Sequence, residues 1–544
     1  MKLFIIDAIG PFFKGYKRKT INWSKIPFYN LENGGKVDLD KFKAIRKDFD
    51  KLMKKFSDIG YNAISIDDLA HLVNYDFYPK KLQNKIVQYQ QEYKILFQIA
   101  KQYGMKIFVN TDIMFFNHSI ARHTKKKNSG IIKMLKHACQ YVLSEFPVDG
   151  IIMRMGEDDS HDFESDFQSK LTIKKPAQLR SFVKNMLPVF EKLNKYLIMR
   201  TWTVGVYKIG DLIWNKKTYD KAFKKIKSKN LIISMKFGDT DFYGNLELNP
   251  LFFRDHHQKI IELQTRREHD GFGLLPVYTG WDYESYYKKL KKMKNIMGIS
   301  VWCQTGGWTR WKKLTFLDDS SEWTELNTYS TLKIYKQAYS ADKAIDEFFK
   351  NKEIKLFLKK YKSISDKILY LPSQKKLYFR RSRIPPQAWV RWDQVNVSYL
   401  IEYFYKYLKC HDFEVSQEEL AEIYKLGKKL KIKNIDFIFA TLRIFYLIRE
   451  SFTNPNKKIK LVEEILSYAK KYPDSYRFSI QHAKKANFGL KIMLKIFTRK
   501  KSKYRLIDKI MMTKLFSFIM YEIAKRKIPK DSDKHAMSFK SLFK

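Results

Sequence analysis

Three acidic residues have the type and the spacing expected of catalytic groups. Each lies a short distance past an apolar run. Asp241 and Glu268 follow two such runs, and Glu157 follows a third. Runs of this length and composition are typical of buried parallel strands, and a β/α barrel carries its chemistry just past the carboxyl ends of its strands. Because hydrolysis of a glycosidic bond uses paired carboxylates around a cleft, this is the chemistry that the pattern predicts.

The elements that must position these acids alternate along the first 310 residues or so. Amphipathic helical patterns separate the apolar runs, as in residues 39–56, where apolar side chains recur at steps of three and four. Eight such units in series predict a closed (β/α)8 barrel. A doubly wound open sheet is the alternative, and it fits less well because no strand is followed by a GxGxxG helix start. The predicted strands are residues 3–9, 62–66, 106–110, 150–155, 196–202, 231–236, 259–264 and 297–303.

A second region with a mostly helical pattern begins after residue 311. We predict two domains, a catalytic (β/α)8 TIM barrel over residues 1–315 and an α-helical C-terminal domain with a basic tail over residues 316–544. The predicted helical segments are 327–350, 352–368, 396–409, 416–430, 435–450, 457–471 and 508–527.

Composition narrows the class of protein. A chain of 544 residues with 44% hydrophobic and 16% aromatic residues is not a disordered one. No apolar run approaches the roughly 20 residues that span a bilayer, and no signal peptide is evident, so we expect a cytoplasmic location. Three widely spaced cysteines do not predict a disulfide framework. We expect no cofactor, and no metal, because the neighbours His256 and His257 have no third ligand at a suitable spacing.

The net charge of +48 raises the question of an anionic partner. Lysines are spread along the whole chain and no nucleic-acid-binding motif is evident, so a solvated basic surface is favoured and nucleic acid is not. The basic region from Ala483 to Lys544 is interpreted as an ordinary surface helix. The alternative is an amphipathic segment in peripheral contact with an anionic membrane at its inner face. Apolar helical faces leave oligomer formation open.

Ordered blocks over most of residues 40–350 resemble the glycoside hydrolase family 67 α-glucuronidases. In the second strand, Asp67 and Asp68 stand where that family has paired asparagines. The blocks lie at residues 45–68, 103–110, 199–202, 236–241, 262–271 and 323–340, in family order and at similar spacing.

This resemblance implies an inverting hydrolase that removes α-linked glucuronic acid from an oligosaccharide. It assigns Glu157 as the general acid, and Asp241 and Glu268 as the groups that hold and activate the attacking water. Arg200 and Lys236 would grip the carboxylate of the uronic acid. A planar guanidinium and an ammonium are both suited to that contact.

The chain also departs from the family pattern. The segment before the acid is one residue shorter, which makes Asp158 or Asp159 an alternative to Glu157. The N-terminal β domain of the family is expected to be absent. For Arg200 the alternative to substrate binding is a structural pair with Asp241 or with Glu157.

The remaining candidate binding residues are acidic or aromatic. The resemblance adds Asp67 and Asp68 to the substrate-binding residues. Trp202, Trp308 and Trp311 lie near strand ends and are suited to stacking on sugar faces. Trp302 lies within the last predicted strand, where core packing is favoured.

Together these observations predict a glycoside hydrolase that acts on an acidic oligosaccharide or polysaccharide. One alternative is a membrane-associated enzyme that assembles or trims surface polysaccharide with the same barrel. Another is a carbohydrate-binding protein without catalysis.

Overall fold

The computed structural model describes residues 1–16, 25–125, 128–156, 166–169, 171–203, 207–267, 275–304, 313–319, 321–369 and 415–453, and residues 464, 467 and 471. Its centre is a closed barrel of eight parallel strands, in the order β1-β8-β7-β6-β5-β4-β3-β2 around the ring. The predicted (β/α)8 barrel is confirmed. The strands are β1 (Leu3–Asp7), β2 (Ala63–Asp67), β3 (Lys106–Asp112), β4 (Gly150–Arg154), β5 (Tyr196–Arg200), β6 (Leu231–Lys236), β7 (Gln258–Gln264) and β8 (Ile296–Trp302).

The seam between the first and the last strand closes the barrel. Ile6 pairs with Val301 in parallel register. At the end of β1, Asp7 accepts hydrogen bonds from two backbone N–H groups just past β8, those of Cys303, at 2.7 Å, and of Gln304, at 3.1 Å. A buried carboxylate that accepts backbone N–H groups is well satisfied, so Asp7 ties the end of β8 to β1.

Helices surround the barrel. Helix α1 shows why they form: the Asp38 side chain caps its first turn by accepting from the Lys41 N–H, its apolar face is buried, and Gly60, at φ 109°, ends it in the left-handed conformation. The helices of the described residues are α1 (Leu39–Ile59), α2 (Lys80–Gln102), α3 (His118–His123), α4 (Asn128–Glu145), α5 (Pro176–Lys192), α6 (Lys216–Phe223), α7 (Gly280–Leu290), α8 (Glu322–Gln337), α9 (Ala341–Phe348), α10 (Lys352–Leu369), α11 (Gln417–Lys429) and α12 (Ile435–Thr453).

The connection between β6 and β7 departs from the expected repeat. The described residues 237–257 contain a 3₁₀ turn at Pro250–Phe253 and no α-helix. The buried side chain of Asn249 fixes this path, because its amide donates to the carbonyl oxygen of Ile213 at 2.7 Å and its oxygen accepts from the Leu251 N–H at 3.0 Å. The expectation of eight complete βα units is therefore wrong at the sixth unit.

Buried apolar side chains form two layers on either side of the strands. The outer layer packs the strands against the helices. Alternate residues of a strand face opposite sides, and the residues between the outer-layer positions form a separate cluster inside the barrel. That inner cluster consists of Leu3, Ile5, Ala63, Phe108, Ile152, Ile198, Ile232 and Ile260.

Helix α8 lies against α7 and the barrel, where the Tyr61 hydroxyl donates to the carbonyl oxygen of Thr328 at 2.9 Å. The predicted single segment 327–350 is two helices, because Ala338, at φ 57°, ends α8 and Ser340 caps α9. The predicted segments 396–409 and 508–527 lie outside the described residues, as does most of 457–471. No described helix combines the length and apolar character that crossing a membrane requires. The division at residues 315 and 316 stays a prediction.

Candidate active site at the barrel mouth

The inward-facing positions change from apolar to polar toward the carboxyl end of the barrel, which we call the mouth. Steps of two from the inner cluster lead to charged side chains that are almost fully buried. Burying charges is costly unless they are paired or hydrogen-bonded, so each charged side chain of this layer needs a partner. Its charged members are the acids Asp7, Asp67, Asp112 and Glu262 and the bases Arg154, Arg200 and Lys236.

Arg200, at the end of β5, forms a bidentate ion pair with Glu262 of β7. The two bonds are 3.0 Å, from Nε to Oε1, and 2.8 Å, from Nη2 to Oε2. The Ser234 hydroxyl donates to the same Oε1 at 2.8 Å. Burial would raise the pKa of Glu262, but Arg200, Lys236 and Ser234 together hold this pKa below its ordinary value. Glu262 therefore stays ionised and fixes the plane of the guanidinium.

Lys236, at the end of β6, contacts the predicted catalytic residue Asp241 in the loop that follows. The distance from Nζ to Oδ1 is 2.5 Å, and the Phe242 N–H donates to the same oxygen at 2.8 Å. The ammonium lies 3.7 Å from the ring centroid of Trp202 and 4.3 Å from that of Phe242. The Asp241 side chain keeps 20% exposure. The Asp241 carboxylate is thus held in place by an ammonium and a backbone N–H, and it remains partly exposed to solvent, as a general base that meets a water molecule must be.

Trp302, the last residue of β8, reaches the same region from the far side of the lumen. The guanidinium carbon of Arg200 lies 4.6 Å from its ring centroid. Because β5 and β8 are not neighbours in the barrel, this cation–π contact spans the lumen. The two side chains therefore meet beneath the mouth.

A second ionic cluster occupies the β2–β4 side of the mouth. Arg154 donates from Nε to Oδ1 of Asp112 at 3.0 Å, and its Nη1 lies 3.4 Å from Oδ1 of Asp67. Lys25 makes a further ion pair with Asp112. The Ile26 N–H donates to the other oxygen of Asp67 at 3.1 Å. The segment at residues 25 and 26 is thereby fastened across this side of the mouth.

The two acids of this cluster have opposite titration behaviour. Burial raises the pKa of Asp67, and Arg154 only partly opposes it. Burial acts in the same direction on Asp112, but Arg154 and Lys25 outweigh it and lower the pKa of that carboxyl. Neighbouring acids whose pKa values are pushed apart are a feature of acid–base sites. Asp67 is therefore the described mouth acid most suited to hold a proton.

Asp68, predicted to bind substrate, contacts His71 at the rim. Its Oδ1 lies 2.7 Å from Nδ1 of His71 and accepts from the His71 N–H at 3.1 Å. The ring of His71 stacks on Phe28 at 3.5 Å. In this structure Asp68 fixes a 3₁₀ turn at the edge of the mouth.

Two arginines anchor the chain where it leaves β7 toward the predicted catalytic residue Glu268. The buried Arg266 donates to the carbonyl oxygens of Cys303, at 3.2 Å, and Lys313, at 2.5 Å. Burial lowers the pKa of Arg266 to about 10. Arg267, at φ 51°, forms an ion pair with Asp282 of α7. The start of this loop is held firmly against the barrel.

The structure brings together part of the predicted site. Arg200, Lys236, Trp202 and Asp241 belong to one cluster, and Asp67 belongs to the cluster on the opposite side of the lumen. Asp68 lies at the rim, in neither cluster. The remaining predicted site residues, and the alternative acids, lie outside the described residues. They are Glu157, Glu268, Trp308, Trp311, Asp158 and Asp159.

Sequence reasoning missed several residues of the mouth. Glu262 is a carboxylate partner of Arg200 that the sequence reasoning did not consider. Trp302, for which the sequence favours core packing, is buried in the large apolar cluster and also contacts Arg200. Residues two apart in a strand face the same side. Counting in steps of two from the inward-facing apolar residues would have placed Glu262 at the mouth. The missed mouth residues are Arg154, Asp112, Ser234, Glu262 and Trp302.

The histidine pair lies away from this site. His257 lies just before β7, its Nδ1 is 2.8 Å from Asp255, and its Nε2 is 2.9 Å from the carbonyl oxygen of Ile226. In the part of the chain that the structure describes, no group of three or more His, Cys, Asp or Glu side chains is arranged to hold a metal ion.

Comparisons with known proteins show similarity at the level of the fold. No protein-family model matches the chain, and no curated protein matches its sequence. Among solved structures, a GH138 enzyme targeting pectin rhamnogalacturonan II matches with a TM-score of 0.51 and 12% identity, over 88% of this chain and 62% of that one. CpGH84B matches with a TM-score of 0.40 and 13% identity, over 88% and 73%. An O-GlcNAc hydrolase of Thermobaculum terrenum matches with a TM-score of 0.40 and 10% identity, over 80% and 87%.

Proposed function

We propose that this protein is a glycoside hydrolase whose site is the barrel mouth, and that it releases α-linked glucuronic acid, or a related uronate, from an oligosaccharide with inversion. The observation that carries the proposal is the Lys236–Asp241 pair beside Trp202. It combines a carboxylate open to solvent, a cation and an aromatic face at the carboxyl ends of parallel strands.

Each part of this cluster has a role in the proposal. Asp241 accepts a proton from the attacking water, and Lys236 stabilises the charge on Asp241 and attracts the uronate. Trp202 offers a flat apolar face to a sugar ring, and Arg200, fixed by Glu262, adds positive charge beneath it. In the free protein the charges of Lys236 and Arg200 are balanced by the carboxylates of Asp241 and Glu262. The substrate carboxylate then binds beside cations that are already held in place.

The reaction also needs a general acid across the sugar. By resemblance this is Glu157, and Glu268 shares the work of Asp241. Inversion requires a gap of roughly 6.5–9.5 Å between acid and base, so that water fits behind the anomeric carbon. Asp67, whose pKa is raised by burial, lies on the opposite side of the lumen, where Arg154 and the Ile26 N–H hold it.

The structural comparison is in keeping with a glycan substrate. The GH138 enzyme with a similar barrel is named for its action on a pectin, rhamnogalacturonan II. At 12% identity this likeness concerns the fold. The choice of a uronate therefore rests on the charges at the mouth and on the resemblance of the sequence blocks.

The test is turnover of α-glucuronosyl xylo-oligosaccharides by the full chain, followed as free glucuronic acid. Asp241→Asn keeps the size of the side chain and removes the base, so we expect kcat to fall by about 100- to 10,000-fold, as for loss of a general base. Glu422→Gln, which changes an exposed residue of α11, serves as the control and should match the wild type.

Two results would contradict the proposal. Turnover by Asp241→Asn within about twofold of the wild type would remove Asp241 from the chemistry. Release of no uronic acid by the wild type, on these substrates and on other acidic oligosaccharides, would remove the uronate specificity.

A further inference from the structure

Trp302 carries a hydrogen-bond donor for which the structure provides no acceptor. The residue is 4% exposed, and its indole Nε1 is buried without a hydrogen-bond partner in the described part of the chain. A buried N–H group without a partner costs free energy, and Trp side chains in cores usually find one. Core packing alone therefore does not account for a tryptophan at this position.

The place of Trp302 in the barrel indicates where an acceptor would come from. Trp302 packs in the same large apolar cluster as Ile299 and Val301, and its ring also meets Arg200 of the inward-facing charged layer. Trp302 ends β8 at the mouth, and the Arg200 guanidinium lies 4.6 Å from its ring centroid. Arg200 is itself fixed by Glu262. The indole is thus held rigidly beneath the mouth.

Another tryptophan shows the contrasting case. The Nε1 of Trp281, on α7, donates to Oδ1 of Asp342 on α9 at 2.8 Å. That indole joins two helices outside the barrel and uses its N–H for structure. Trp302 lies at the mouth and does not use its N–H in this way.

We propose that Trp302 is a specificity-determining residue that contacts the substrate, its indole N–H donating a hydrogen bond to a carboxylate oxygen of the bound uronate. This rests on the proposed function. The carboxylate is the substrate group that fits best, because it accepts strongly and carries negative charge beside Arg200. A site with a buried donor discriminates against analogues that cannot accept well, since the donor is then left unpaired.

The experiment compares Trp302→Phe with the matched Trp281→Phe in the full chain. Calorimetric titration with D-glucuronate and with its neutral amide gives the dissociation constants, and thermal melts report folding. For Trp302→Phe we expect affinity for glucuronate to fall about tenfold or more, as for loss of a hydrogen bond to a charged group, with a smaller change for the amide. Trp281→Phe should bind as the wild type does but melt at a lower temperature.

A second measurement guards against a variant that does not fold. In wild-type protein labelled with ¹⁵N-tryptophan, the Trp302 indole signal, assigned with Trp302→Tyr, should move on addition of glucuronate. Unchanged affinity of a folded Trp302→Phe, or an unmoved indole signal while the wild type binds, overturns the role of Trp302 and leaves the proposed function standing. If neither glucuronate nor its amide binds to the wild type, both the role of Trp302 and the proposed function are overturned.

Discussion

The buried ion pair between Arg200 and Glu262 gives the sharpest prediction for stability. Glu262 has no exposed surface, and the Arg200 side chain is 7% exposed. In Glu262→Ala the guanidinium stays buried without this carboxylate, and the Ser234 hydroxyl loses its acceptor. Removing one partner of a buried pair typically costs about 3–5 kcal/mol, because the remaining charge is left uncompensated.

This cost can be expressed as a melting temperature. A domain of this size shifts by roughly 2 °C for each kcal/mol, so Glu262→Ala should melt about 6–10 °C below the wild type. Differential scanning calorimetry of the full chain, with tryptophan fluorescence as a second probe, measures the shift. The double variant with Arg200→Ala should recover part of the loss, because no unpaired charge remains at this pair.

An exposed ion pair of the same chain serves as the control for this prediction. Lys360 and Glu422 form an exposed ion pair, with side chains 41% and 61% exposed, and exposed pairs contribute little. Glu422→Ala should therefore have the same melting temperature as the wild type. If Glu262→Ala also melts with the wild type, or if the double variant loses the sum of the two single losses, the coupling described for this pair is wrong.

Three further predictions concern other charged groups. The folded-state pKa of Asp67 is raised, so its contribution to stability is present below its unfolded pKa of 3.8 and is lost as pH rises. Asp67→Asn should therefore have a higher melting temperature than the wild type at neutral pH. In thermal melts recorded across pH, this difference should close toward pH 4. Asp255 has the opposite sign: burial would raise its pKa, but hydrogen bonds from His257 and Lys259 lower it, so its contribution is present above 3.8 and is lost at acid pH. Asp255→Asn should be destabilised at neutral pH, by an amount that shrinks as pH falls below 3.8 in the same melts. If the basic region binds an anionic membrane, removing the residues after Ala483 should abolish sedimentation with phosphatidylserine vesicles but not with neutral vesicles, and unchanged sedimentation would dismiss that contact.

The barrel was predictable because its strands are buried on both faces. Such strands appear in the sequence as apolar runs, and the predicted run 231–236 coincides with β6, while others differ by one or two residues at an end. The connection after β6 was not predictable from periodicity. Its path depends on the side chain of Asn249, which hydrogen-bonds to the distant backbone of Ile213.

The site was predictable in part, for a related reason. Arg200 and Lys236 end apolar runs, so their place at the mouth followed from the fold. Glu262 lies inside a run, and its partnership with Arg200 depends on two strands that are 62 residues apart in the chain. The orphaned N–H of Trp302 is likewise a property of three-dimensional packing, which a residue pattern does not display.

The central claim is that the mouth hydrolyses a uronosyl bond with Asp241 as a base, and the stereochemistry of the first product tests it most directly. The wild-type protein is mixed with an α-glucuronosyl xylo-oligosaccharide, and proton NMR follows the anomeric signals before mutarotation. The β-anomer of glucuronic acid should appear first, and it should not appear with Asp241→Asn. First appearance of the α-anomer would contradict inversion, and equal release by Asp241→Asn would contradict the assignment of the base.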